Sequence, residues 1–210
     1  MKPESLIFDV DGTLWNSVEL VAKGWNLALE EAGLPPTCTP DNIRPLFGKT
    51  MDEIAAAIFP SLPQEERLKR MASCLNWEDR VMQADPCRIF YPQVRQTLTA
   101  LAQHYRLFIA SNCQRGYIEL LLEKGDLGHL ITDYDCFGQT GLPKAGTIRL
   151  LMARNGITNG VYIGDTQGDL EAAQGAGLPF VWAAYGFGMP ETWDEKIDRF
   201  SDLAQLFLPA

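Results

Sequence analysis

Two aspartates stand two residues apart in the stretch LIFDVDGTLWNS, residues 6–17, where an apolar run gives way to a turn. Carboxylates that close repel, so Asp9 and Asp11 at the rim of an apolar run need a reason. One reading of DVDGT by itself is an acidic strand-to-turn connection, since Asp and Gly favour turns. The other is a shared cation. Ser111 closes a second apolar run, Asp165 a third, and Lys144 opens a helical pattern. Hard oxygen ligands with room for water and for phosphate oxygens suit Mg²⁺ better than a soft metal. In that reading Asp9 and Asp165 hold the ion together with the backbone carbonyl of Asp11.

The elements that must position these residues follow from the apolar pattern. Leu6-Ile7-Phe8, Leu107 to Ala110 and Val161-Tyr162-Ile163 are short, continuous and rich in β-branched or aromatic residues, as in parallel strands covered on both faces. Helical stripes lie between and after them, at 92–103, 114–124 and 145–155. Further strands are predicted at Tyr134 to Phe137 and Pro179 to Trp182, the second after a glycine-marked helix end at Gly175 to Gly177. Alternating strands and helices predict a doubly wound, Rossmann-like α/β fold with a parallel sheet. Such a sheet places Asp9, Ser111 and Asp165 beyond the carboxyl ends of strands, where folds of this kind bind ligands.

Residues 15–85 break that alternation. Val18, Val21, Ala22, Trp25 and Leu29 mark one amphipathic helix, Ile54, Ala57 and Ile58 a second, and Leu68, Met71, Ala72 and Leu75 a third, with proline-rich breaks at 35–45 and 60–63. The expected organisation is a core of residues 1–14 and 86–210 carrying an inserted α-helical cap of 15–85. Both connections of the insert should sit over the mouth of the site.

Composition removes other classes. With 210 residues, 46% of them hydrophobic, the chain can bury a full core. Its formal charge is -9 and no basic run exceeds two residues, which disfavours nucleic acid as a partner. No apolar stretch approaches the roughly 18 residues of a membrane span, and a basic segment followed by an apolar signal region is missing, so a cytoplasmic protein without membrane contact is expected. Cys38, Cys74, Cys87, Cys113 and Cys136 are scattered, without a CxxC pair, and read as reduced thiols.

The ordered set DVDGT (9–13), Ser111-Asn112, Lys144 and GDTQGD (164–169) resembles the haloacid dehalogenase superfamily, specifically its phosphatases with an α-helical cap, the phosphoglycolate phosphatase-like enzymes. The resemblance spans nearly the whole chain. It implies a Mg²⁺-dependent phosphatase acting on a small-molecule phosphate ester, phosphoglycolate-like or a sugar phosphate, as a monomer or weak homodimer. Asp9 would be the nucleophile that takes the phosphoryl group as an aspartyl-phosphate, and Asp11 the general acid and base. Ser111, Asn112 and Lys144 would bind phosphate, Asp9, Asp11 and Asp165 would form the metal shell, and Thr13 and Asp169 would support them from behind.

These roles have physical reasons. Phosphoryl transfer needs an in-line nucleophile, cations near the equatorial oxygens and a proton source for the leaving group. Metal contact keeps one acid ionised while its neighbour can retain a proton, so two identical side chains divide the labour. Ser111-Asn112 precedes a helix predicted from about Gln114, so phosphate contact and ordinary helix capping both remain open. A lysine at a helix start is misplaced unless an anion offsets it, the alternative being a solvated surface lysine. Asp169 orients Lys144 or a metal-bound water, or is simply a helix-start acid. Asn16 stands where many relatives carry Asp, and with Glu19 it is expected to cap the first insert helix. Arg44 and Lys49, beside Gly48, are the insert's candidates for reading the leaving group, against the alternative of solvated charges.

Other matches carry less. Cys38 with Arg44 and Cys74 with Arg80 fit the Cys-x5-Arg spacing of cysteine phosphatases, but neither follows a predicted strand. FGKT at 47–50 lacks the first glycine of a nucleotide loop, where Ile43 stands. Cys113 lies near the site, and His104 and His129 lack spaced partners. A phosphomutase of the β-phosphoglucomutase type and a non-catalytic metal-binding protein of the same fold remain as alternatives. A halide-removing hydrolase has no use for Asp11.

Overall fold

The computed structural model describes residues 3–86 and 89–209, so Cys87 lies outside the described residues. The chain divides into two compact units, one of residues 1–16 and 90–210, the other of residues 17–89. In chain order the elements are β1 (Ser5–Phe8), α1 (Val18–Glu31), α2 (Pro40–Ile43), α3 (Met51–Ile58), α4 (Gln64–Ala84), α5 (Val94–Leu101) and β2 (Arg106–Ser111). They continue with α6 (Tyr117–Gly125), β3 (Ile131–Cys136), α7 (Phe137–Thr140), α8 (Lys144–Asn155), β4 (Gly160–Gly164), α9 (Gln167–Ala176), β5 (Phe180–Ala183), β6 (Glu195–Ile197) and α10 (Leu203–Phe207).

The first unit is a doubly wound α/β layer structure. Its six strands run in the order β3-β2-β1-β4-β5-β6, and every neighbouring pair is parallel. All four residues of β1 and all five of β4 are buried, which is why these strands read as unbroken apolar runs instead of alternating ones. Ile7, Phe108, Tyr162 and Phe180 pack from the sheet against Ile148 and Leu151 of α8 and Leu170 and Ala173 of α9. From β1 the chain winds outward to β2 and β3, then returns to place β4 on the other side of β1. The order therefore reverses between β1 and β4, and folds of this kind bind ligands at the carboxyl ends of the strands at such a point.

Several elements depart from the sequence expectation. Phe137 opens α7 instead of closing β3, because β3 starts earlier, at Ile131. The helix expected from about Gln114 begins at Tyr117, with Gly116 in a left-handed conformation at its cap. Neither Ser111 nor Asn112 is therefore a helix cap. Ser111 is the last residue of β2 and pairs with Cys136 of β3. Edge strand β6 and the closing helix α10 were not expected. β6 is placed by backbone pairing with β5, by the Asp194 carboxylate accepting from the Phe180 N–H at 2.8 Å, and by Trp193 stacked on Trp182 at 4.7 Å.

The second unit is helical. Val18, Val21, Ala22, Trp25, Ala28 and Leu29 form the buried stripe of α1. Ser17, not Asn16, occupies its cap position, and the Ser17 side chain makes no capping bond. In α4 the buried face is Met71, Cys74, Glu78, Val81 and Met82, whereas Leu68 is 44% exposed and Ala72 is exposed. The expected stripe was displaced because a glutamate sits on the buried face. Glu78 is tolerated there because its carboxylate accepts from the Trp25 indole N–H at 2.7 Å. Asn26 ties the connecting segment to α1, donating to the Cys38 carbonyl at 2.7 Å and accepting from its N–H at 2.9 Å. Removing a donor from a buried carboxylate leaves part of its desolvation uncompensated, so Trp25→Phe should lower stability by about 1.5–3 kcal/mol, read as a shifted urea midpoint.

Among the described residues no helix is long and apolar enough to cross a membrane.

Candidate active site

Asp9 directly follows β1, and its N–H still donates to the Ile163 carbonyl of β4 at 2.9 Å, so the strand pairing holds its backbone. The side chain is 2% exposed. Lys144, the first residue of α8, reaches back to the sheet and is 5% exposed, which excludes a solvated surface lysine. Its Nζ donates to Asp169 Oδ1 at 2.6 Å and lies 3.1 Å from Asp9 Oδ1. The second contact is an ion pair, and Asp9 Oδ1 has no further partner among the described residues.

Asp169 is more than a helix-start acid. It closes a capping box with Thr166 at the start of α9, and its Oδ2 accepts from the Thr166 hydroxyl at 2.7 Å, the Thr166 N–H at 2.9 Å and the Asp165 N–H at 3.2 Å. Oδ1 takes Lys144 and lies 3.3 Å from the Tyr162 hydroxyl, which itself donates to the Ala110 carbonyl at 2.9 Å. This carboxylate is thus saturated and orients Lys144.

Asp165, just beyond β4, is fully buried. Its Oδ2 accepts from the Phe187 N–H at 2.6 Å, and its own carbonyl accepts from the Trp182 indole at 3.2 Å. Two glycines make room for it. A Cβ on Gly12 would lie 2.1 Å from Asp165 Oδ2, and Gly12 also has φ +80, so both space and conformation require glycine in DVDGT. A Cβ on Gly186 would lie 2.3 Å from the Asp165 Cβ. Asp165 Oδ1 has no hydrogen-bond donor among the described residues.

Asp9, Asp165 and Asp169 each bring one carboxylate oxygen into a group whose members lie within 4.8 Å of one another. Burial raises the pKa of Asp9 to about 7 against the pull of Lys144, and burial together with the charges of Asp169 and Asp9 raises that of Asp165 well above the carboxylate range. Asp169 moves the other way: burial opposes its charge, but Lys144 and the Thr166 donors prevail and lower its pKa. Burial also opposes the charge of Lys144, yet its two carboxylate neighbours hold it protonated. Asp165 Oδ1, without a donor, and Asp9 Oδ1, with only the Lys144 ammonium beside it, sit on acids whose charge burial opposes and form the donor set a hard divalent cation fits, since the cation removes that opposition. Asp169 cannot serve as readily, its oxygens being taken.

Asp11 is held apart from this group. Its Oδ1 accepts from the Trp15 indole N–H at 2.9 Å and from the Tyr117 hydroxyl at 2.9 Å. Its carboxylate is absent from the clustered oxygens, which leaves the backbone carbonyl as its candidate metal ligand. Thr13 is fully buried, its carbonyl accepts from the Tyr185 hydroxyl at 2.8 Å, and its hydroxyl has no partner among the described residues. Ser111 is buried at the end of β2, and Asn112 is half-buried in the loop that follows. Arg44 and Lys49 belong to the helical unit and are exposed on it.

The weaker matches separate from the site. Cys74 lies inside α4 with its thiol pushed up to about 12 by burial, and burial raises Cys38 as well, so neither supplies a thiolate. Burial likewise keeps Cys113 a thiol. Thr50 of FGKT closes a capping box with Glu53 at the start of α3. Tyr117, Trp15, Tyr162 and the Gly186-Phe187 backbone were not foreseen. The glycines of YGFG, directly after a strand, are the one signal that pointed to the last of these.

The sequence model of the family described as haloacid dehalogenase-like hydrolase matches residues 6–183. A phosphoglycolate phosphatase of Aliivibrio fischeri is 28% identical over 94% of this chain and 91% of its own. One of Aquifex aeolicus is 27% identical over 96% and 95%. In fold, the chain is similar to a predicted phosphoglycolate phosphatase from Haemophilus somnus 129pt, with a TM-score of 0.83, 24% identity and 98% of each chain covered.

Proposed function

The chain belongs to the haloacid dehalogenase-like hydrolases, and from that premise we propose that it is a Mg²⁺-dependent phosphatase that hydrolyses a small phosphate monoester through a phosphoryl group carried on Asp9. The observation that carries this reading is a buried carboxylate, Asp9, at the switch point of a parallel sheet, 3.1 Å from a buried ammonium and clustered with the donorless oxygen of Asp165. The names of the relatives support phosphoglycolate or a similarly small ester as substrate.

Asp9, Asp165 and the backbone carbonyl of Asp11 would hold the ion. When bound, Mg²⁺ neutralises charge on the phosphoryl oxygens and lowers the repulsion between the ester and an anionic nucleophile. An Asp9 carboxylate oxygen attacks phosphorus, and the bond from phosphorus to the ester oxygen breaks. Asp11 gives its proton to that departing oxygen. A water then attacks the aspartyl-phosphate, passes its proton to Asp11 and releases inorganic phosphate, which regenerates Asp9. Lys144, fixed by Asp169, supplies a cation that cannot rotate away, and Ser111 and Asn112 donate to phosphate oxygens. Thr13 supports the turn that carries both acids.

We assign leaving-group choice to the helical unit, read as a cap, with Arg44 and Lys49 as the candidate contacts. Arg44→Ala and Lys49→Ala should raise KM for an anionic substrate several-fold and leave kcat nearly unchanged, the signature of lost uniform binding.

The testing experiment is release of inorganic phosphate from a panel of small phosphoesters, including phosphoglycolate and sugar phosphates, with Mg²⁺ or with chelator. Turnover that needs Mg²⁺ is expected. Asp165→Asn should raise the half-saturating Mg²⁺ concentration at least ~10-fold. Silence across the panel in Mg²⁺ would reject the phosphatase reading.

A further inference from the structure

Asp11 is tied down from two directions. Trp15 reaches it across its own turn, where the Gly12 N–H donates to the Trp15 carbonyl at 2.9 Å and Asp11 and Trp15 form a β-bridge. Tyr117 reaches it from the first turn of α6, 106 residues away in the chain. Both rings are buried, and they meet edge-on, centroids 5.3 Å apart at 80°. Trp15 packs in turn on Phe90 at 5.5 Å. Neither ring can move without disturbing the core beneath it.

Both donors converge on the same oxygen, Oδ1. An indole N–H only donates, so the oxygen facing it acts as an acceptor there. We propose that Trp15 and Tyr117 are positioning residues for Asp11: they fix its carboxylate through Oδ1 and so hold it in one orientation for proton transfer. The assignment rests on the phosphatase reading above. In the first half-reaction the proton leaves the Asp11 carboxyl for the ester oxygen while the phosphorus–ester bond breaks and the Asp9–phosphorus bond forms. In the second, water gives its proton to the Asp11 carboxylate while its oxygen bonds to phosphorus and the Asp9–phosphorus bond breaks. Holding the acid in one orientation removes a search over side-chain rotation from both steps.

The test is kcat/KM for an alkyl phosphate and for p-nitrophenyl phosphate, because this ratio reports the chemistry through leaving-group departure. An alkoxide needs a proton to leave, and p-nitrophenolate does not. Tyr117→Phe deletes one hydroxyl and keeps the ring. It should lower kcat/KM ~10-fold on the alkyl ester and less than ~2-fold on the aryl ester, well inside the ~10²–10⁴-fold that general acid catalysis supplies. Trp15→Phe, which removes the other donor, should give the same split. In an Asp11→Asn background Tyr117→Phe should cause no further loss, because residues acting as one unit are not additive. Equal losses on both esters, or full additivity with Asp11→Asn, would overturn the positioning role while leaving the phosphatase reading intact. An Asp11→Asn enzyme with native turnover of the alkyl ester would overturn the acid assignment itself, and the positioning role with it.

Discussion

Asp9→Asn will leave phosphate release at least ~10⁴ times below that of the native enzyme, on good and poor leaving groups alike, because the substitution removes the nucleophile rather than a proton donor. An amide oxygen is a poor nucleophile towards phosphorus, and no other described carboxylate can replace Asp9. Asp165 is committed to the Phe187 N–H through one oxygen, and Asp169 is saturated by Lys144 and Thr166. The variant is nearly isosteric, so the loss will not come from unfolding. In chelator, Asp9→Asn should melt above the native protein, since it puts a neutral group in place of a carboxyl whose charge burial opposes. Higher thermal stability together with lost activity is the mark of strain held for function.

Lys144→Met should produce the second largest effect, and here stability and activity fall together. The ammonium is the cation that Asp9 and Asp169 share, and removing it leaves their charges buried and uncompensated. Breaking one partner out of a buried ion pair is destabilising by about 3–5 kcal/mol. The urea midpoint should therefore fall, and phosphate release should fall with it. Arg at this position should not restore function, because a planar fork cannot occupy the place of a single Nζ held 2.6 Å from Asp169 Oδ1.

The parts of the fold legible from sequence are those whose burial is complete. β1, β2 and β4 are continuous apolar runs because both of their faces are covered, and an acid or serine at the end of each such run marks the edge of the sheet. Asp9, Ser111 and Asp165 stand out for that reason. What the sequence concealed depends on contacts between distant residues. β6 carries two exposed charged residues and only one buried side chain, so its strand character comes from pairing with β5 and not from its own pattern. The buried face of α4 is masked by Glu78, which looks like a solvent residue until Trp25 supplies its donor. The hold of Trp15 and Tyr117 on Asp11 joins residues 4 and 106 positions apart, and neither spacing suggests a shared oxygen. The cap expected from Asn16 failed for a local reason: α1 begins one residue later than that reading allows.

The most direct measurement of the central claim is acid quenching of the enzyme during turnover, reduction of any acyl-phosphate with borohydride, and mass mapping of the peptide that carries residues 6–17. The account predicts that Asp9 alone is converted to homoserine, in Mg²⁺ and not in chelator. Reduction at another residue, or an unmodified Asp9 in an enzyme that is turning over substrate, would contradict it.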